Sequence, residues 1–326
     1  MSARAKRRHV KSRHVKSRHV KSTARKLRTM PRTPFTPSAS TPVRYVDAHV
    51  HFWDQSEPGI EWPMLEPNSR FPLHLFNASG HYTAADHRLE TAGVPVSKVV
   101  HVQAAVLDDP AVETAWLQRM ADNDPAGWPN GIVASGALCA GDAPALLERH
   151  ARYANFRGVR DPTLADHLED PALDAALTVM ARLGAACDVG ARLPRFQALG
   201  VVVDRHPDVT FVLNHGGTPN ERTPQFLAQW RAGLTQLAAR PNIVGKVSGF
   251  ALGDKQWTVE SLAPVVNACI DIFGVDRCLV ASDWPVDKLY STYGELFAAF
   301  ATITAGVSPT ERDALFAGTA ERVYRL

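Results

Sequence analysis

Residues 43–326 read as a (β/α)8 barrel, the TIM-barrel type of α/β fold, and residues 1–42 as a disordered basic tail and linker in front of it. Three observations predict this. Eight short apolar, β-branched runs alternate with longer Ala- and Leu-rich stretches of helical period, the pattern of parallel βα units. Eight is the number at which such units close on themselves instead of spreading into an open sheet. The 326 residues, 45% of them hydrophobic, also suffice for one large core, and a barrel needs about 250 residues.

Taken in order, the chain opens on a five-residue unit written three times: the stretches starting at Arg8, Arg13 and Arg18 each read Arg-His-Val-Lys-Ser. Residues 1–42 hold 13 Lys and Arg and no acid, so the formal charge of +3 conceals a body with 23 basic and 33 acidic residues. A segment so polar buries no core and is expected to be disordered. Residues 29–42, rich in Pro, Thr and Ser, suit a linker. Three readings of the tail stand: a basic arm for nucleic acid or another anionic surface, a targeting peptide, or sequence lying ahead of a translation start at Met30. The last is preferred, because the tail interleaves no aromatics for base stacking and has no apolar signal core. Nucleic acid is not expected as a partner except through residues 1–29, and the repeat histidines are not read as metal ligands.

The strand candidates are 44–50, 98–106, 131–138, 157–160, 185–189, 210–214, 243–248 and 278–281. Between them 110–122, 143–153, 170–183, 196–206, 224–239 and 259–273 read as helices, each with an apolar stripe and stop signals. No self-similar period points to a solenoid. Residues 54–88 differ, being rich in Pro, aromatics and His without a period. A long loop after the first strand lies on the catalytic face of a barrel, so it is expected to cap the site. No apolar run approaches the ~18 residues of a membrane span. The cysteines, Cys139, Cys187, Cys269 and Cys278, are scattered in apolar segments without a C-x-x-C, which fits free thiols in a reducing compartment. A soluble, cytoplasmic protein is expected, and a homo-oligomer is left open.

The candidate site residues lie at predicted strand ends. His49 and His51 are two apart on the first strand, so both rings point to one side and can share a metal through imidazole nitrogen. An isolated H-x-H is weak evidence among 13 histidines; its place on the catalytic face strengthens it. His215 ends the sixth run in Asn-His-Gly-Gly and reads as a ligand or electrophile, the alternative being a satisfied core histidine. Asp283 ends the eighth run in Ser-Asp-Trp-Pro, where it either caps the next helix or binds a metal and takes a proton from water. Arg160 suits a substrate carboxylate, with a pair to Asp161 as the alternative. His101 faces the interior with Gln103; Lys246 could anchor an anionic group or form a structural ion pair. Trp53, Trp284, Tyr82 and His81 are candidates for pocket walls or for packing.

The segments VDAHVHFWD, RGVRD, LNHGGTP, KVSGF and SDWPV, in this order, resemble the amidohydrolase-related family of TIM-barrel hydrolases. The likeness is to its lactonase-like branch, which holds sugar lactonases, sulfomuconolactone hydrolase and 2-pyrone-4,6-dicarboxylate lactonase. It runs from about Tyr45 to Leu326 and leaves the tail out. It implies that His49 and His51 are the first-strand pair, that His215 is the histidine of the N-H-x-G segment, and that Asp283 is the general base. Arg160 matches a position that grips a substrate carboxylate in some lactonases. The resemblance also implies a divalent ion, Zn or Mn, and no organic cofactor. The best-known members add histidines from the fifth and sixth strands, but residues 185–192 contain none, so the site is mononuclear at most, and at least one related type works without a metal.

The sequence therefore predicts a metal-dependent or metal-free hydrolase that opens a lactone or similar cyclic ester, anionic or sugar-like, by attack of an activated water. Two other classes stay open. One is a non-oxidative decarboxylase of an aromatic or muconate-type acid on the same barrel; the other is a non-catalytic barrel tethered by its basic arm.

Overall fold

The computed structural model describes residues 42, 44–62, 65–66, 73, 79–105 and 107–326; the basic tail, Val106 and the centre of the long loop lie outside them. Strand β1 (Tyr45–Val50) leads into a two-stranded antiparallel ribbon, β2 (Trp53–Asp54) with β3 (His81–Tyr82), and helix α1 (Ala84–Glu90). The alternation is then regular: β4 (Val96–Val102), α2 (Ala111–Asn123), β5 (Gly131–Ser135), α3 (Ala143–His150), β6 (Phe156–Arg160), α4 (Leu173–Leu183), β7 (Ala186–Val189), α5 (Phe196–Arg205), β8 (Phe211–Leu213), α6 (Pro224–Ala238), β9 (Ile243–Val247), α7 (Val259–Phe273) and β10 (Cys278–Val280). Helices α8 (Tyr293–Ile303), α9 (Pro309–Asp313) and α10 (Thr319–Tyr324) follow.

Eight strands form one parallel sheet in the order β1-β4-β5-β6-β7-β8-β9-β10. It closes where Val50 pairs with Trp284 and the His51 amide donates to the Trp284 carbonyl at 2.8 Å. The fold is the (β/α)8 barrel. Five strands stop earlier than their apolar runs suggest, three of them by a single residue and β4 and β5 by more. Beyond β4 the amides of Ala104 and Ala105 donate to Glu113 Oε1, both at 2.9 Å, and beyond β5 the Leu138 amide donates to Asp161 Oδ2 at 2.9 Å. Side-chain carboxylates there take the place of ladder partners, and the chain turns off while remaining buried. The stretch 54–88 is likewise not wholly irregular, since it carries the ribbon and the start of α1.

Two apolar layers hold the barrel. Val46, Ala48, Val100, Val102, Val133, Ala186, Val212, Val244, Leu279 and Ala281 fill the interior, and Ala320, Val323 and Tyr324 of α10 pack on them from one end. The alternate positions, such as Val99, Ile132, Val159, Cys187, Phe211 and Val280, pack in the larger layer with residues of the surrounding helices. Helix starts follow their caps: Thr258 opens α7 and Thr292 opens α8, each in a capping box with the third residue onward. The four cysteines are free. No described helix is long and apolar enough to cross a membrane.

Two histidines are built into this framework uncharged. His150 donates from Nε2 to the Ser135 carbonyl at 3.1 Å, and its Nδ1 meets Thr114 Oγ1 at 2.9 Å. Burial lowers its pKa to about 4, and burial with Arg88 nearby lowers that of His87 to about 3. Both folded values lie below the unfolded value of 6.5, so between pH 6.5 and 4 the unfolded chain binds more protons than the folded one. Stability is therefore expected to fall as pH drops through that window, by up to about 1.4 kcal/mol per pH unit for each group. Urea unfolding midpoints between pH 7 and 4 measure it; His150→Gln should flatten the slope by about one proton.

Candidate active site

The strand that carries the histidine pair is not regular. Between Asp47 and Val50 β1 slips against β4, three steps on one strand meeting two on the other. This bulge changes the phase of side chains. Val46 and Ala48 point into the barrel, and after the slip His49 also faces inward, with Val50 on the outer layer. His51, one alternation further, joins His49 on the inside, as the H-x-H spacing predicts.

Both rings meet Asp283, which follows β10. Its Oδ1 lies 3.3 Å from His49 Nε2, 3.5 Å from His51 Nε2 and 4.0 Å from His215 Nε2. All four side chains are buried. The backbone is bent to bring them there: Asp283 sits at φ 59° and His215 at φ 55°, both left-handed and both non-glycine. Such conformations persist where the surroundings enforce them and cluster at functional sites. Gly249, after β9, is held to glycine by the same crowding, because a Cβ there would lie 2.5 Å from His215 Nδ1 and 3.0 Å from Asp283 Oδ2.

Hydrogen bonds fix the rings. His51 Nδ1 lies 2.8 Å from the Val102 carbonyl, which can only accept, so this nitrogen carries a proton and the ring is held with Nε2 toward Asp283. His215 Nδ1 meets Ser248 Oγ at 3.0 Å. His49 Nε2 is buried without a hydrogen-bond partner among the described residues. Burial, then Lys246, keeps His49 well below its ordinary pKa, and burial lowers that of His215 to about 4. Burial pushes Asp283 up, but His215, His51 and Arg160 outweigh it and hold the carboxyl below its usual range.

The donor set fits a metal. A tetrahedral zinc with bonds of about 2.0–2.1 Å sets its ligands roughly 3.4 Å apart. The 3.3 and 3.5 Å separations of Asp283 from the two histidines match that spacing, and the Nε2 atoms of His51 and His49 both face the carboxylate, the latter without a hydrogen-bond partner among the described residues. The ligand atoms of His49, His51 and Asp283 all lie within 4.8 Å of one another. His215, more distant, is placed to face whatever the three hold.

The remaining candidates separate. The Arg160 guanidinium makes no ion pair among the described residues and its buried Nε has no hydrogen-bond partner. The alternative partner, Asp161, is taken up by the Leu138 and Thr163 amides and the Thr163 hydroxyl. Lys246 is fully buried and paired with Asp188 at 2.6 Å, the ion-pair alternative of its sequence reading, with Tyr324 OH also on that carboxylate. His101 is likewise occupied, accepting from the Phe52 amide at 3.1 Å with Nε2 3.4 Å from Glu113. Trp53 is buried against Tyr82 in the ribbon, and Trp284 donates to Glu90 at 2.7 Å, so both pack. His81 is exposed beside Asp86 at 3.7 Å.

Sequence reasoning missed Ser248, Gly249 and Asp287. The first two follow Val247 in the KVSGF segment, a strand-end Ser-Gly that could have signalled close approach. Asp287 is buried, neither carboxyl oxygen has a hydrogen-bond partner among the described residues, and burial together with Asp283 drives its pKa well up.

Comparison with known proteins points one way. A family model described as Amidohydrolase matches residues 46–326. An L-fucono-1,5-lactonase of Burkholderia ambifaria is 28% identical over 296 residues, covering 86% of this chain and 95% of that one. An uncharacterised protein of Sinorhizobium fredii is 32% identical over 299 residues, 87% of this chain and 99% of its own. Among solved structures, an amidohydrolase of Burkholderia multivorans with bound zinc superposes with a TM-score of 0.73 at 25% identity, covering 86% and 99% of the two chains.

Proposed function

This chain belongs to the amidohydrolase family, a hydrolase of its lactonase-like branch, and on that premise we propose that it opens a lactone by attack of an activated water. The observation that carries the reading is the convergence of His49, His51 and Asp283. We take these three as the residues that would hold a single divalent ion, zinc or manganese. Such an ion supplies positive charge that polarises a carbonyl and acidifies water.

The chain's own residues do the rest. Asp283, ionised at neutral pH, accepts a proton as water oxygen bonds to the lactone carbonyl carbon. His215, uncharged and anchored through Nδ1 to Ser248, donates from Nε2 to the developing oxyanion. As the ring C–O bond breaks, the protonated Asp283 returns its proton to the leaving oxygen, so one carboxylate serves twice. Arg160, a half-buried guanidinium with no ion pair among the described residues, meets a carboxylate on the substrate and favours anionic lactones over neutral ones.

A panel of neutral sugar lactones and carboxylated lactones, assayed by pH-stat with metal analysis of the protein, tests the reading. Turnover of at least one class is expected. Arg160→Met should raise KM for carboxylated lactones by roughly 10–100-fold, the value of about 1.5–3 kcal/mol for a charge-assisted bond, and leave neutral ones little changed. Release of CO2 from aromatic or muconate-type acids with no lactone turnover would make it a decarboxylase instead.

A further inference from the structure

The barrel seam is closed in an unusual way. Seven neighbouring strand pairs share parallel ladders of several residues, whereas β10 and β1 are joined by the single bridge of Val50 and Trp284. Past that seam the Ser282 hydroxyl makes only a long contact of 3.4 Å with the His49 carbonyl of β1, and the buried Ser282 amide needs an acceptor. Asp47 supplies it: Oδ1 accepts from Ser282 N at 2.9 Å, and Oδ2 accepts from Ser282 Oγ at 2.6 Å. Ser282 Oγ in turn accepts from the Trp284 amide at 3.0 Å. The residues on both sides of Asp283 are thus tied to one fully buried carboxylate, two positions before His49. Tyr293 OH of α8 donates to Oδ2 at 2.8 Å, and the Tyr45 hydroxyl and the His49 amide reach Oδ1 at 3.4 Å.

We propose that Asp47 is the positioning residue of this site, holding Asp283 in its left-handed conformation and in register with His49 and His51 through Ser282. It touches neither substrate nor reacting atoms. A ladder would fix strands as extended backbone, but Asp283 departs from extended backbone at φ 59°. A side-chain acceptor can bind the amide before the turn and, through the serine hydroxyl, the amide after it. The inference rests on the proposed role of Asp283 for its kinetic consequence, and on geometry alone for its structural one.

The test uses the full chain with Asp47→Asn, Ser282→Ala and the double variant. Misplacement by about 1 Å costs up to 10²-fold in rate, so each single variant should lose roughly 10–100-fold in kcat on a lactone with KM within about twofold. The double variant should lose little more, because both changes cut the same link. Amide exchange of the segment containing Ser282 and Trp284 should quicken in both singles while β5 and β7 keep their protection. Ser282→Ala decides the matter if Asp47→Asn does not fold. If the wild-type protein opens no lactone, the functional reading fails, and amide exchange by itself decides the role of Asp47. Unchanged exchange at Ser282 and Trp284, or kcat losses that multiply in the double variant, would overturn it.

Discussion

Asp283→Asn is expected to lower kcat for lactone opening by roughly 10²–10⁴-fold, the range removed with a general acid–base group, and to change KM little. The amide keeps the size of the carboxyl and one oxygen toward His49 and His51, so the cradle stays intact. What it cannot do is take the proton of the attacking water or return one to the ring oxygen, and both halves of the reaction fail together. The pH profile gives a second readout. The general base must be ionised, and the charges and donors around Asp283 hold its pKa below the usual carboxylate value. The acidic limb of kcat should therefore lie below about pH 4 in the wild-type protein and vanish in the variant. Stopped-flow rates after pH jumps to between about pH 2.5 and 8 measure both; full activity in Asp283→Asn would refute the assignment.

Much of this site was legible in the sequence because its chemistry is written at strand ends. Periodicity located eight strands, and the polar residues His49, His51, His215 and Asp283 each break an apolar run where a barrel strand leaves the core. Their convergence over more than 230 positions followed from closure. Burial partners were less legible. Lys246 and Asp188 carry opposite charges on different strands, and nothing local to either says they meet at 2.6 Å. Arg160 and Asp161 are adjacent, yet successive strand residues point apart, so the pairing suggested by proximity does not form. The bulge in β1 was illegible as well, since the H-x-H spacing is satisfied with or without it. The bulge brings His49 to the inner side directly after Ala48, a change of phase that no period in the sequence marks.

The interior ion pair leads to the second large effect, which concerns stability. Lys246 and Asp188 lie in the barrel below the histidines, with no exposure, and Lys246 Nζ is 3.4 Å from His49 Nδ1. Removing one member of a buried pair leaves the other charge without compensation, at about 3–5 kcal/mol. Lys246→Met should pay that cost nearly in full, because Asp188 keeps only the Tyr324 hydroxyl as donor among the described contacts. Asp188→Asn should cost less: burial already lowers the pKa of Lys246, and without its carboxylate the ammonium can shed its proton. The double variant Lys246→Met with Asp188→Leu replaces both charges by apolar groups and should recover most of the loss, since a well-packed apolar substitute is often neutral or better. Urea unfolding of these variants at pH 7, with Asp188→Leu alone added to complete the cycle, measures the ranking, and the coupling between Lys246→Met and Asp188→Leu should be about 2 kcal/mol or more, within the range found for contacting residues. A Lys246→Met protein as stable as the wild type would mean that the pair is solvated, contrary to its complete burial. Activity sharpens the result: His49 loses a cationic neighbour in Lys246→Met but keeps Asp283, so the variant should be strongly destabilised while its folded fraction still turns over substrate.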